Sequence, residues 1–358
     1  MPSTTGMKGA GYYDQYSGAQ MSSIDALRDW IDEAVDGLRL PDPARAVTVL
    51  DLGSSEGRNA ISMMASIVAG LRRRTGQPLQ TDYSDLASNN FNQLFANLEE
   101  ALRASFFAAD VFPAAVGGSF YGRLMPPGTV HFATSFNAVV WLDRLPEIPV
   151  PDFVGCRRPD PARPGAAASA DAFSAFRQQA ERDLDQFLEC RAREIVPGGK
   201  LLIATPGDTD AVRVVDGLFD LLNEACLDLV ENGSLKRKEY ERLVMPVYYR
   251  TVEELVAPLE RPDSPARGAF TVDRAGALEV PPPYIAAYKR TGDAAAYAAA
   301  YTGFLRAISE PVVRAALNQR ENAATVDSVY DRVHARLLAE PERYFWRYIV
   351  VAAVLTRR

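Results

Sequence analysis

Val47-Thr48-Val49-Leu50-Asp51-Leu52-Gly53-Ser54-Ser55-Glu56-Gly57-Arg58-Asn59 is the stretch that decides the fold. Its first six residues are β-branched or apolar save for Asp51, which predicts a strand buried on both faces and stopped by Gly53. From Asn59 to Arg74, the apolar residues Ile61, Met64, Ala65, Val68 and Leu71 recur at steps of three and four, which predicts a helix with one buried face. A glycine turn between strand and helix leaves backbone N–H groups open at the helix start, where a ligand can come close. A dinucleotide site would need G-x-G-x-x-G at this point. The residue two after Gly53 is Ser55, so that spacing fails and a nicotinamide-dependent oxidoreductase loses its main support.

Further strands are expected at Leu79–Tyr83, Phe106–Ala109, Val130–Thr134 and Lys200–Thr205. A long amphipathic helix spans Phe173–Val196, closed by Pro197-Gly198-Gly199. This alternation predicts an α/β fold: a Rossmann-like parallel sheet with helices on both faces. Leu218–Val230 and Val326–Ala339 read as helices, as does Ala294–Leu317, which Pro311 should kink or split. Tyr344–Thr356 reads as an edge strand, and Pro159–Ala168 and Glu260–Gly268 as mobile loops. The organisation expected is a core over 1–210, a mostly helical cap over 211–340 and a C-terminal strand over 341–358 that returns to the core sheet.

The 358 residues are 47% hydrophobic and 24% charged, an ordinary globular mixture that needs neither disulfide nor metal for stability. The net charge of −7 argues against a nucleic-acid surface. Two histidines, His131 and His334, exclude a His-rich metal centre. Cys156, Cys190 and Cys226 lack paired spacing, so no zinc or redox motif is present and a reducing cytoplasm is expected. No signal peptide and no membrane-spanning run is apparent.

Asp-x-Gly-x-x-x-Gly over 51–57 is the pattern of S-adenosylmethionine (SAM) methyltransferases. SAM carries no pyrophosphate but has an α-amino group that wants a carboxylate, which accounts for Asp51. After room for one helix and one strand comes Asp82-Tyr83-Ser84-Asp85-Leu86, whose carboxylate at Asp85 can accept from both ribose hydroxyls.

Taken together, the sequence resembles the SABATH methyltransferases, which methylate small carboxylic acids and, in some branches, heterocyclic nitrogens. Met7-Lys8-Gly9-Ala10-Gly11 with Tyr13, Ser17 and Gln20 is similar to the family's N-terminal segment. Asp51–Asn59 resembles DLGCSSGPN, with Ser54, Glu56 and Arg58 in place of Cys, Ser and Pro. Ser84-Asp85-Leu86 and Asn89-Asn90-Phe91-Asn92 resemble NDL and NDFN, and Gly118–Leu124 repeats GSFYGRL without change. Val130–Leu142, Arg191–Gly199, Ser309-Glu310-Pro311 and Leu355–Arg358 continue the series.

The resemblance implies a class I SAM methyltransferase sheet under a helical cap, a homodimer, and roles by position. Asp51, Gly53, Ser17 and Asn59 would hold the methionine end of SAM, Asp85 the ribose, and Leu86, Ser119 and Phe120 the adenine. Ser135 joins this cofactor set. Tyr13 would line the border with the acceptor, which Lys8, Gln20 and Trp141 would meet. Asn137, Val140, Phe219 and Val312 would shape the pocket. Phe136-Asn137 stands for the family's Ser-Tyr, Val140 for a Met and Phe219 for a Trp. The Lys8/Gln20 pair favours a carboxyl acceptor over the alternative, N-methylation of a heterocycle. A carboxylate is ionised at neutral pH, so no general base is expected, and holding the reactants in line can lower a barrier by roughly 7–11 kcal/mol. Lys8 would aim the carboxylate as a point charge, and a small aromatic acid such as benzoate or salicylate is the expected acceptor.

Overall fold

The structure, a computed structural model, describes residues 6–104, 109–150, 152–159, 166–317 and 323–358. Three helices come first, α1 (Tyr12–Tyr16), α2 (Gly18–Ala26) and α3 (Arg28–Asp36). The alternating core follows: β1 (Val47–Leu52), α4 (Arg58–Arg72), β2 (Leu79–Asp85), α5 (Phe91–Arg103), β3 (Val111–Gly117), β4 (Val130–Phe136), α6 (Ala166–Glu194) and β5 (Ile195–Pro206). Then come α7 (Val215–Glu231), α8 (Arg237–Tyr240), α9 (Val252–Val256), β6 (Phe270–Val280), α10 (Pro283–Thr291), α11 (Ala294–Ala316), α12 (Ala323–Ala339) and β7 (Tyr348–Arg357).

The strands form one sheet in the order β3-β2-β1-β4-β5-β7-β6. The five strands from β3 to β5 are parallel, and β7 runs antiparallel between β5 and β6. Chain order reverses between β1 and β4, and the crevice at their carboxyl ends is where such sheets bind ligands. Asp51, Asp85 and Phe136 all lie at those ends. The sheet's centre is dry: Val49, Leu50, Phe132, Leu201 and Ile203 are fully buried, as is the inner face of α4 through Met64, Ile67 and Leu71.

Several expectations shift. The third strand is Val111–Gly117; Phe106–Ala108 lie outside the described residues, and Ala109 is a bend. The long helix ends at Glu194, and Pro197-Gly198-Gly199 belong to β5. Helix α6 starts at Ala166, inside the stretch read as a loop; residues 160–165 of that stretch lie outside the described residues. Strand β6 is absent from the sequence reading, and its presence makes β7 an inner strand, not an edge. Helix α11 runs through Pro311 as one element.

Candidate active site

The glycine loop is held by the ends of two strands. Gly53 and Gly57 have φ of 94° and 102°, and Ser55 between them has 51°, all in the left-handed region. The backbone N–H of Ser55 donates to Asp85 Oδ2 at 2.7 Å, and that of Leu86 to Oδ1 at 2.8 Å. Asn89 donates to Ser55 O at 2.7 Å and Asn90 to Glu56 Oε1 at 3.1 Å. Asp85 thereby fixes the loop while each of its oxygens keeps a lone pair for a ligand hydroxyl.

Asp51 is 3% exposed; it accepts from Ser54 Oγ at 2.7 Å and Thr134 Oγ1 at 2.9 Å. Burial pushes its carboxyl up to about 6, against the pull of those two hydroxyls. A ligand ammonium is the partner that would let it ionise there.

Three cavities meet at the carboxyl ends of the strands. The first, about 690 Å³ with its mouth included, is lined by Gly53, Asp85, Leu86, Ser119, Phe120 and Trp141 among others. The second, about 540 Å³, is lined by Gln20, Val140, Phe219, Tyr249, Trp346 and Tyr348 among others. The third, about 380 Å³, reaches Asp51 and Asn59 beneath the glycine loop. Tyr13 and Asn137 line all three. Asn137 sits at φ 59°, a conformation that asparagine tolerates better than most residues. Its side chain donates to Ser23 Oγ at 3.0 Å and accepts from the Tyr348 hydroxyl.

Thirteen of the seventeen residues named from the sequence line these cavities. Four stand behind them. Ser17 accepts from Asn59 Nδ2 at 3.0 Å. Ser135 is fully buried and donates to Leu52 O at 3.2 Å. Val312 packs in α11, where Ile308, one turn earlier, reaches the second cavity instead. Lys8 is not among the lining of the three cavities: its Nζ lies 2.6 Å from Glu310 Oε2 and 4.3 Å from the Tyr12 ring centroid. Burial would raise the Glu310 carboxyl, but bonds from Lys8, Arg306 and Arg314 outweigh it and hold the group at about 2.

The profile of a family described as SAM dependent carboxyl methyltransferase matches residues 2–358. The chain belongs to this family. SAM is the cofactor of the family's chemistry, and this member carries the class I SAM methyltransferase fold. A solved loganic acid methyltransferase with SAH superposes with a TM-score of 0.78 at 26% identity, covering 98% of each chain. Gibberellic acid methyltransferase 1 of Arabidopsis thaliana is 30% identical over 64% of this chain and 65% of its own length. Indole-3-acetate O-methyltransferase 1 of Oryza sativa subsp. japonica is 29% identical over 95% of this chain and 89% of its own. Salicylate carboxymethyltransferase of Clarkia breweri is 25% identical over 99% and 97%. These relatives act on carboxylic acids, so this methyltransferase is a carboxyl O-methyltransferase of small organic acids; the N-methylation alternative gains no support. No helix among the described residues is long and apolar enough to cross a membrane.

The residues that sequence reasoning misses come mostly from far along the chain. Tyr249 lines the second cavity of the methyltransferase, as do Phe304, Trp346 and Tyr348. Their sequence surroundings carry no motif. Met7, the neighbour of Lys8 in the N-terminal motif, lines the first two cavities. Glu56, a departure from the family pattern, anchors the N-terminal segment. Its carboxylate accepts from Gly11 N–H at 3.0 and 3.1 Å and so ties that segment to the glycine loop.

Proposed function

We propose that this carboxyl methyltransferase esterifies a small aromatic carboxylic acid in the second cavity, with SAM spanning the first and third. When bound, SAM supplies a methyl group already activated on a sulfonium. The residues fit it. Leu86, Ser119 and Phe120 offer an adenine slot, Asp85 a ribose acceptor, and Asp51 with Asn59 a polar end for the amino acid. A β-carbon at Gly53 would lie 2.5 Å from Ala138 Cβ, so only glycine leaves this floor open.

The observation that carries the acceptor class is the wall of the second cavity: Trp141, Phe219, Tyr249, Phe304, Trp346 and Tyr348 surround about 540 Å³. Such a box favours a flat, apolar ring through offset and edge-to-face packing. Among the described residues that line it, none is cationic. The acid's charge is therefore met by neutral donors. Burial raises the phenols of Tyr13 and Tyr249, which keeps them protonated as donors. Gln20 Oε1 is buried without a partner, a state costing about 1–3 kcal/mol. Turned over, the same amide presents its NH₂ to a carboxylate. Tyr13 and Asn137 stand where the acid and the sulfonium meet and fix their line of approach. No side chain need remove a proton, because the acid arrives ionised. The names of the indole-3-acetate and salicylate relatives support an aromatic acid here.

Incubation with labelled SAM and a panel of acids tests this. Turnover should be greatest with benzoate-sized or indole-sized aromatic acids; preference for a long-chain aliphatic acid would overturn it. We also infer a homodimer in the cytoplasm, on the family resemblance and on three free cysteines. Analytical ultracentrifugation checks the first inference.

A further inference from the structure

Ser309-Glu310-Pro311, one of the family-like motifs, has no part in the reading above. Pro311 lies inside α11 and has no N–H to give to the carbonyl four residues back, that of Ala307. That carbonyl accepts instead from the backbone N–H of Lys8, at 3.0 Å. The Lys8 ammonium meets Glu310 Oε2 at 2.6 Å, and the Glu310 side chain is only 5% exposed. Arg306 and Arg314, one turn to either side, bind the same carboxylate at 2.5 and 2.7 Å and hold it in place. Lys8 is thus fastened to α11 by both its main chain and its side chain, around a single proline. Next to it, Met7 lines the first two cavities, and a few residues on, Tyr13 lines all three. At Gly11 the segment is tied a second time, to Glu56.

We propose that Lys8 is a positioning residue, the latch that keeps residues 6–13 across the cofactor and acceptor cavities, and that Pro311 makes its docking point by freeing the Ala307 carbonyl. Lys8 acts through Met7 and Tyr13. The proposal rests on the first and second cavities being the SAM and acid sites. A helix-breaking residue here serves the site: the bond that α11 gives up is the bond that the N-terminal segment gains.

The test uses K8M, E310Q and P311A in the full chain. SAM affinity is measured by calorimetry with no acid present, and the Lys8 amide is followed by hydrogen exchange. An alanine N–H at 311 would reclaim the Ala307 carbonyl, so P311A should loosen the latch without lowering the melting temperature. Each variant should weaken SAM binding about tenfold, the size of a partly buried contact's coupling, and speed Lys8 amide exchange. K8R should restore much of the affinity. Lys8 acting solely as counter-ion of the acid requires K8M to leave SAM binding intact and E310Q to leave or improve acid binding; either result overturns the proposal. Unchanged Lys8 exchange in P311A also overturns it. Should E310Q fail to fold, K8M and P311A decide. A wild-type protein that binds no SAM would instead sink the reading of the cavities, a failure distinct from that of the latch.

Discussion

Gly53 and Ala138 close against each other at the crevice between β1 and β4: a β-carbon on Gly53 would stand 2.5 Å from that of Ala138. At φ 94° the same position is also outside the range that side chains accept readily. G53A is therefore expected to cost about 1–2 kcal/mol for the left-handed backbone and about 1–3 kcal/mol for overpacking. SAM affinity should fall with it, because the loop carries Ser55 out of place and Ser55 is bonded to Asp85. Denaturant melts and calorimetry check this; an unchanged midpoint with unchanged affinity would contradict it.

Asp51 sets a pH dependence. Its carboxyl is raised from 3.8 to about 6 by burial, so its contribution to the stability of the empty protein is greatest below 3.8 and is lost as pH rises through about 6. An ammonium at this site requires the ionised form. SAM affinity should rise about tenfold per pH unit below 6 and level off above it, with proton release on binding at about pH 5.5. Calorimetry in buffers of different ionisation enthalpy reads that release. An affinity that is flat from about pH 5 to 8 would remove Asp51 from the ammonium site.

How much of this is legible in the sequence follows from where the signals sit. The glycine loop, Asp85 and the Gly118–Leu124 segment are short and contiguous, so they can be read directly. Strand β3 contains Pro113, which argues against an inner strand; as the sheet's edge it needs no N–H from that residue. Strand β6 hides because Asp273, Arg274 and Gly276 break its pattern, and an edge strand with one exposed face tolerates them. The aromatic box is assembled from the turn after β4, α7, the segment before α9, α11, and β7 with the residues just before it, whose proximity no local pattern encodes. The Lys8–Glu310 pair is hidden for a related reason: the two partners are distant in sequence, and a buried carboxylate attracts an ammonium more strongly than an open cavity does.

On the proposed placement of the acid, Asn137 and Tyr348 tune the acceptor. Y348F removes the hydroxyl that Asn137 accepts from and frees the Asn137 amide oxygen in the pocket. A gain of about 1 kcal/mol, or roughly fivefold in kcat/KM, is expected for acids with a ring hydroxyl, with less change for benzoate. Steady-state kinetics on salicylate and benzoate separate the two; equal losses on both would reduce the pair to a packing role.

With the acid in the second cavity, as proposed, Phe219 limits acceptor size. It is 1% exposed and packs near Tyr249, ring centroids 6.5 Å apart. F219A should cost about 3–5 kcal/mol of stability and F219L less, while both widen the second cavity. The expected outcome for F219L is a shift in kcat/KM toward larger acids with little change in SAM affinity. A SAM affinity lost in parallel would mean that the cavities are not separable as assigned.

A crystal structure of the ternary complex with SAH and the best acid from the panel tests the central claim most directly. The expected density has adenine between Leu86 and Phe120, the ribose on Asp85, the amino group at Asp51, and the acid's carboxylate beside Tyr13 and Gln20 with its ring against Trp141 and Phe219. An acid bound outside the second cavity, or a carboxylate paired with Lys8 in place of Glu310, would contradict the account.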